Sequence, residues 1–336
     1  MTIRDVAKSS GVSISTVSRV LNGHPDVSEA VREKVMKAVE ELHYVPNDSA
    51  RSLVRAQTDT IGVVIRGIGN PFFASVMAEI EKAAAKAGYE IARTQIGAEE
   101  DELLAGASLV KSRRLKGLIL LGGRFDYSAE DAQRIDVPFV CCTFTNSFGD
   151  LATEQYSSIS INDYAEAYRA TQYLTARGHQ RIGIVLERRE DHSISELRCR
   201  GYCDALRGKG LLDEALIAET GSFSMAAAYE ATKKLITEHP EITALFVIAD
   251  SMAIAAMKAL YDLGRRVPED CSVIAIDGIE MSEYTTPALT TLSQPPEVMA
   301  RKAVKAMLDV IRDPEAHRHE WVKTTLREGG SVAQAR

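Results

Sequence analysis

The sequence lacks most of what would tie it to a membrane, a disulfide framework or an active site. No run of about eighteen apolar residues is present, and no charged-then-apolar leader precedes a cleavage site, so a soluble, cytoplasmic protein without a membrane partner is expected. Cysteine is scarce and odd in number, five in 336 residues, which fits a reducing compartment. Cys199 and Cys203 could share one helix face, but no further Cys or His stands beside them at metal-ligand spacing. All five are therefore expected to be small buried hydrophobes, with no metal and no other cofactor. Gly67-x-Gly69 lacks the third glycine of a dinucleotide fingerprint, and no P-loop lysine or Gly-x-Ser-x-Gly elbow occurs. An enzyme reading has almost nothing to stand on. Positive charge is wanting too: the net charge is −7. Residues 1–59 hold eight Lys/Arg and eight Asp/Glu, so the excess acid lies wholly beyond them. A balanced small domain still binds DNA if its basic groups share a face, so charge is only permissive here.

What is present is 45% hydrophobic residues in a chain long enough for two or three domains. The opening stretch, TIRDVAKSSGVSISTVSRVL, reads as two short helices joined by a tight turn. Thr2 can cap the first helix, with Asp5 near its positive end. Gly11 supplies the positive φ that a sharp inter-helix turn needs, and Ser13 can cap the second helix. Val17, Val20 and Leu21 fall on one face of that helix. Ile14, Ser15, Ser18 and Arg19 lie on the opposite and leading face, short or forked enough to reach base edges. After an Asn22-Gly-His-Pro loop, Ser28 opens a third helix with Val31, Val35, Val39 and Leu42 on its inner stripe. The run NDSARSLVRAQTDT that follows Pro46 is too short and polar to be a stable helix alone.

From Thr60 onward the pattern changes. Apolar runs at 61–65, 118–121, 139–142, 182–186, 245–248 and 273–276 alternate with helical patterns near 73–87, 99–113, 163–177, 197–209, 224–238, 251–263 and 297–312. Continuous apolar strands between amphipathic helices indicate parallel sheets covered on both faces. Residues 60–336 are too many for one sheet of usual size, so a split near Ile161 into two doubly wound lobes is expected. Ligands bind such folds at the carboxyl ends of the strands.

The opening helix-turn-helix resembles the start of the lactose-repressor (LacI/GalR) family of bacterial transcription regulators. The resemblance runs the whole length: GHQRIGIV, LGRRVPEDCSVIAID and TPALTTLSQP match the family's segments nearly letter for letter. It implies an all-α helix-turn-helix headpiece at 1–46 and a hinge helix or linker at 47–59. It also implies an α/β, periplasmic-binding-protein-like effector and dimerisation domain at 60–336, with one lobe near 60–161 and 293–320 and the other near 162–292 and 321–336. By the same resemblance the hinge folds only on DNA and a leucine wedges between base pairs. The matching run is Ala50-Arg51-Ser52-Leu53, with Leu53 as the wedge. Thr2, Ser15, Thr16, Ser18, Arg19 and Asn22 are expected DNA contacts, and Ile14 offers an apolar surface to a thymine methyl.

In the cleft, Asn70-Pro71-Phe72-Phe73 is similar to the sugar-binding members, with Phe72 or Phe73 against a sugar ring or in the lobe core. Arg198, in Arg-x-x-Gly-Tyr, matches a cleft arginine that grips ligand oxygens; an exposed ion pair is the alternative. Asp250 and Asp277 end strands where a carboxylate can accept paired hydroxyls, although Asp250 can equally cap the next helix. Ala249 departs from the family's usual Asn, and Asn162-Asp163 blurs the register of another ligand acid, for which Asn162 is taken. His179 and Trp321 read as structural. The resulting expectation is a regulator, expected to repress, that binds a pseudo-palindromic operator as a homodimer or tetramer and joins the nucleoid when DNA-bound. A small sugar in the cleft switches its operator affinity. The same regulator answering to a purine or a phosphoprotein, and a sugar-binding module without DNA function, are the alternatives.

Overall fold

The computed structural model describes residues 3–21, 27–42, 59–67 and 69–335, which fall into two units that divide between Thr58 and Asp59. In the first, α1 (Ile3–Ser10), α2 (Ile14–Leu21) and α3 (Glu29–Glu41) surround Val6, Val17, Val20 and Val35, all essentially without solvent contact. Gly11 turns the chain between α1 and α2 at φ +67°. The Val12 N–H donates back to the Ala7 carbonyl (3.2 Å), closing α1 as α2 begins. The Ser13 Oγ accepts from the Thr16 N–H (3.1 Å), a side-chain cap that meets one of the unpaired donors of α2.

The strands of the second unit, in chain order, are β1 (Thr60–Arg66), β2 (Glu90–Ile96), β3 (Gly117–Leu121), β4 (Phe139–Cys142), β5 (Ser157–Ser160), β6 (Ile182–Leu186), β7 (Ile217–Glu219), β8 (Ala244–Val247), β9 (Ser272–Asp277), β10 (Thr290–Ser293), β11 (His319–Trp321) and β12 (Thr325–Arg327). They build two six-stranded sheets, β11-β5-β4-β3-β1-β2 and β12-β10-β9-β8-β6-β7. Every neighbouring pair is parallel except β10 with β12. The helices between them are α4 (Pro71–Lys86), α5 (Glu102–Arg113), α6 (Ala129–Ala132), α7 (Asp163–Thr175), α8 (Ile194–Arg207), α9 (Met225–Glu238), α10 (Asp250–Asp262) and α11 (Pro296–Arg312).

The continuous apolar strands are buried on both faces because alternate residues serve opposite layers. In β3, Ile119 and Leu121 join the core that α4 and α11 cover, while Leu118 and Leu120 join the core on the other face. The chain passes from one sheet to the other after β5, after β10 and between β11 and β12. Among the described residues no helix is long and apolar enough to cross a membrane.

Two readings of single residues separate here. His179 is buried, with Nδ1 at 2.9 Å from the Thr243 hydroxyl and Nε2 at 3.2 Å from the Ala333 carbonyl oxygen. Trp321 ends β11 rather than packing: 68% of it faces solvent, because its strand is the edge of the first sheet.

Candidate functional site

A cavity of about 470 Å³ opens between the two lobes of the second unit. The loops at the carboxyl ends of β1, β3 and β4 line it from one lobe and those of β6 and β9 from the other. Asn70 caps α4 by accepting from the Phe72 N–H (3.0 Å), and its Nδ2 reaches across to donate to Asp277 Oδ2 (2.9 Å). On the other oxygen, Asp277 accepts from Gln294 Nε2 (2.9 Å). Asp277 sits at φ +135°, a backbone conformation that costs a non-glycine residue of order 1–3 kcal/mol. Phe72 is sunk in the lobe core and Phe73 is only partly covered; both border the cavity.

Arg198, early in α8, is 1% exposed yet reaches the cavity wall. Its Nε and Nη2 donate to Asp163 Oδ1 (3.0 and 2.9 Å), and Nη1 donates to the Ile248 carbonyl. Burial pushes the Asp163 carboxyl up to about 6, against the pull of the guanidinium. The exposed-ion-pair alternative for Arg198 is thereby excluded.

Asn162 and Asp250 do not border the cavity, which corrects their assignment. Asn162 caps α7, accepting from the Ala165 N–H (3.0 Å), and the acid that faces Arg198 is the next residue, Asp163. Asp250 is the first residue of α10 and makes no side-chain cap there. Instead its Oδ2 accepts from the N–H groups of Gly278 (2.9 Å) and Ile279 (3.0 Å) and from the Ser282 hydroxyl (2.8 Å). Its Oδ1 accepts from the Thr291 hydroxyl (2.6 Å). The carboxylate thus holds the loop that presents Asp277. Burial, and the neighbouring Asp277 charge, push the Asp250 carboxyl up to about 7.

Several lining residues had no sequence signal of their own. Arg66, Arg124, Asp126 and Gln294 each keep one buried polar atom without a hydrogen-bond partner. Arg66 Nε lies 3.4 Å from Glu102 and Arg124 Nε 3.7 Å from Asp126, ion pairs without hydrogen-bond alignment. Phe125, Phe144 and Phe223 add aromatic surface. At the mouth, Phe148 of one lobe stacks on His192 of the other (centroids 5.0 Å apart, 19°), with the Arg200 guanidinium 5.0 Å from the same ring. His192 Nδ1 also lies 3.7 Å from Asp126 Oδ2 across the gap. Aromatic pairs contribute about 0.5–1.5 kcal/mol beyond burial, so Phe148→Ala is expected to speed ligand release about three- to tenfold. Stopped-flow dissociation measures this; an unchanged off-rate would remove the contact from the closure of the cleft.

In the first unit, Ile14 is 45% exposed and Ser15 and Arg19 are exposed as well. The hydroxyls of Ser15 and Thr16 lie 2.7 and 2.8 Å from that of Ser13. Arg19 and the partly exposed Ser18 share α2 with the buried Val17 and Val20. Thr2, Asn22, Ala50, Arg51 and Leu53 lie outside the described residues.

A three-helix module carried in one chain with a two-lobed ligand cleft defines a ligand-responsive DNA-binding regulator. Residues 2–47 match the family model described as bacterial regulatory proteins, lacI family, and residues 171–332 match a periplasmic binding protein-like domain. The chain is 37% identical to the HTH-type transcriptional regulator MalR of Clostridium butyricum, over 98% of this chain and 99% of the relative. It is 33% identical to the ribose operon repressor of Escherichia coli (strain K12), again over 98% and 99%. Among solved structures it is similar to a transcriptional regulator CelR–cellobiose complex (TM-score 0.72, 30% identity, 98% and 99% covered). It is also similar to the lac repressor dimer bound to operator and the anti-inducer ONPF (TM-score 0.76, 25% identity, 99% of each chain). The chain belongs to the lacI family of bacterial regulatory proteins. It is a DNA-binding transcriptional regulator and not an enzyme.

Proposed function

We propose that this regulator is a homodimeric repressor released from a pseudo-palindromic operator when a small, uncharged sugar closes the cleft. One observation carries the effector class. Four residues that line the cavity each keep one polar atom without a hydrogen bond: donors on Arg66 and Arg124, which lie in loose ion pairs with Glu102 and Asp126, and acceptors on Asp126 and Gln294. Hydroxyl groups both donate and accept, so a polyol satisfies such a mixed set, and the phenylalanines offer faces to its C–H surfaces. Four arginines and five carboxylates line the cavity, which gives no net positive field for a phosphate. Ribose and cellobiose, named for the relatives above, are of this chemistry. Asn70, Phe73, Arg198, Asp277 and Gln294 are assigned to the ligand, with Asp163 and Asp250 as the residues that position them.

For DNA we assign α2 to the major groove, with Ile14, Ser15, Thr16, Ser18 and Arg19 on bases and phosphates and Thr2 and Asn22 at its ends. Ala50, Arg51 and Leu53 form the hinge contacts in the minor groove. We take residues 1–46 as the DNA-binding domain, 47–59 as the hinge and 60–336 as the effector unit. Effector binding rotates the paired lobes and alters the spacing of the two hinges, which couples the sites. Unstacking a base step costs a few kcal/mol that a wedge repays through the bent duplex. Leu53→Ala is therefore expected to weaken specific operator binding about tenfold while the ligand-induced melting shift stays unchanged. Binding to a duplex selected from a random pool checks it; unchanged affinity removes the wedge.

The effector class is tested by melting the full-length protein with neutral sugars, sugar phosphates and purine bases and nucleosides. Neutral sugars are expected to raise the transition. A shift with purines alone would overturn the reading.

A further inference from the structure

Three of the five cysteines, Cys141, Cys142 and Cys271, are fully buried, and burial pushes the thiols of Cys142 and Cys271 up to about 12. Cys199 and Cys203 are different. They lie one turn apart on α8 with their sulfurs 4.0 Å apart, Cys199 buried at 6% exposure and Cys203 half-buried. Arg189 acts on both sulfurs and is itself held by Glu214 (3.1 Å), and Arg207 stands on the Cys203 side. Either sulfur can donate to the other; this contact, with Arg189 and Arg207, favours a thiolate on Cys203 against its partial burial. Thiolate character and access therefore coincide on Cys203, with a second thiol in reach.

We propose that Cys199 and Cys203 close a reversible disulfide within α8 when the protein meets a peroxide or a low-molecular-weight disulfide, and that closure deforms the helical turn behind Arg198. With peroxide, the Cys203 sulfur attacks one oxygen, the O–O bond breaks, and the departing hydroxide takes up a proton as water, leaving a sulfenic acid. The Cys199 sulfur then attacks the Cys203 sulfur. The S–S bond forms, the S–O bond breaks, and a second water leaves with the Cys199 proton. Two thiols are oxidised by two electrons and one peroxide is reduced. With a small disulfide, two successive exchanges release two small thiols to the same end.

The geometry dictates the mechanical consequence. Bonded sulfurs sit at about 2.05 Å and their Cβ atoms at about 3.8 Å, closer than neighbouring helical positions at about 5–6 Å. The turn between them has to give. Gly201 is in that turn, where a Cβ would lie 2.2 Å from the Tyr164 carbonyl oxygen of α7. The glycine lets the two helices touch and leaves this turn with the weakest helical preference in α8. Arg198 immediately precedes the pair and shares its backbone strain. Disulfide formation stands independently of the effector reading; its relevance to the cleft rests on Arg198 being a binding residue.

The test uses the reduced full-length protein exposed to hydrogen peroxide or oxidised glutathione. Intact mass should fall by two hydrogens, two of the five thiols should become untitratable, and dithiothreitol should restore both. Amide exchange over 198–203 should rise about tenfold on oxidation. Cys199→Ala should stop at a sulfenic acid that dimedone traps. If that variant does not fold, Cys203→Ser, at the half-exposed position, should abolish both the mass change and the exchange response. Five free thiols after oxidation, or intermolecular cross-links alone, would overturn the disulfide. A disulfide with unchanged exchange would overturn its effect on the Arg198 turn. Neither readout needs an effector, so failure of the sugar reading leaves both intact.

Discussion

Arg198→Ala is expected to lose about 3–5 kcal/mol of stability in the effector unit, the range found when one partner of a buried ion pair is removed. The loss comes less from the missing attraction than from what stays behind. Asp163 is 3% exposed, and both guanidinium hydrogen bonds to it enter one oxygen, Oδ1. Without them a bare carboxylate stays in the protein interior, and the Ile248 carbonyl loses its donor as well. Denaturant unfolding measures the loss. Asp163→Asn in the same chain should recover most of it, since the charge is then gone. If the double variant is as unstable as the single one, packing by the arginine stem, and not the stranded charge, sets the cost.

The pH dependence of that defect has a definite sign. Asp163 has a folded-state value of about 6, raised by burial above its unfolded value of about 3.9. Between those values the native state carries a proton that the unfolded chain lacks, so this group's contribution to stability falls as pH rises through the window. Arg198 lowers the Asp163 carboxyl, and it acts on Asp277 in the same direction. Removing it moves both native values higher and extends the window above 6. The gap between Arg198→Ala and the parent should therefore be wider near pH 8 than near pH 5. A gap independent of pH would mean that neither carboxyl takes up the proton.

How far the residues alone disclosed this arrangement depends on what each one is buried against. The strands at 61–65, 118–121, 139–142 and 182–186 stood out because helices cover both sheet faces and no position there can be polar. Strand β2, Glu-Ile-Ala-Arg-Thr-Gln-Ile, gave no such run; it is the sheet edge, half open to water. Strand β10, Thr-Thr-Leu-Ser, is buried but polar because its hydroxyls have partners: Thr291 donates to Asp250, and Thr290 accepts from the Gly329 N–H (3.1 Å). The site divides in the same way. Asn70, Arg198 and Asp277 were legible from their places at helix starts and strand ends. Gln294 was not, because its role is set by Asp277, which also pairs with Asn70 across 207 positions of chain. Asn162 and Asp163 are adjacent and differ in direction, so only the packing of α8 against α7 shows which of them meets Arg198.

Asp250→Ala is expected to be nearly as costly, although the side chain never reaches the ligand cavity. It strands four donors, the N–H groups of Gly278 and Ile279 and the hydroxyls of Ser282 and Thr291. Each buried donor left unmet costs about 1–3 kcal/mol, but the hydroxyls can turn to other acceptors, so a net loss of about 3 kcal/mol is expected. The two N–H groups have no such freedom, and they belong to the residues directly after Asp277. Asp277 holds φ +135° only while its surroundings over-determine it, and the adjoining Gly278, at φ +76°, has no room for a Cβ beside Ser293. Released from Asp250, the loop relaxes toward ordinary backbone and carries the Asp277 carboxylate away from Asn70 and Gln294. Affinity for the sugar that shifts the parent's melting should then fall at least about tenfold, the equivalent of 1.4 kcal/mol in positioning alone. Gln294→Ala removes one donor, the Nε2 that meets Asp277 Oδ1, where Asp250→Ala strands four, so weaker binding with a smaller loss of stability is expected. Calorimetric titration beside denaturant unfolding separates the two. Unfolding of Asp250→Ala at the parent's denaturant midpoint would show that the loop keeps its shape by other means.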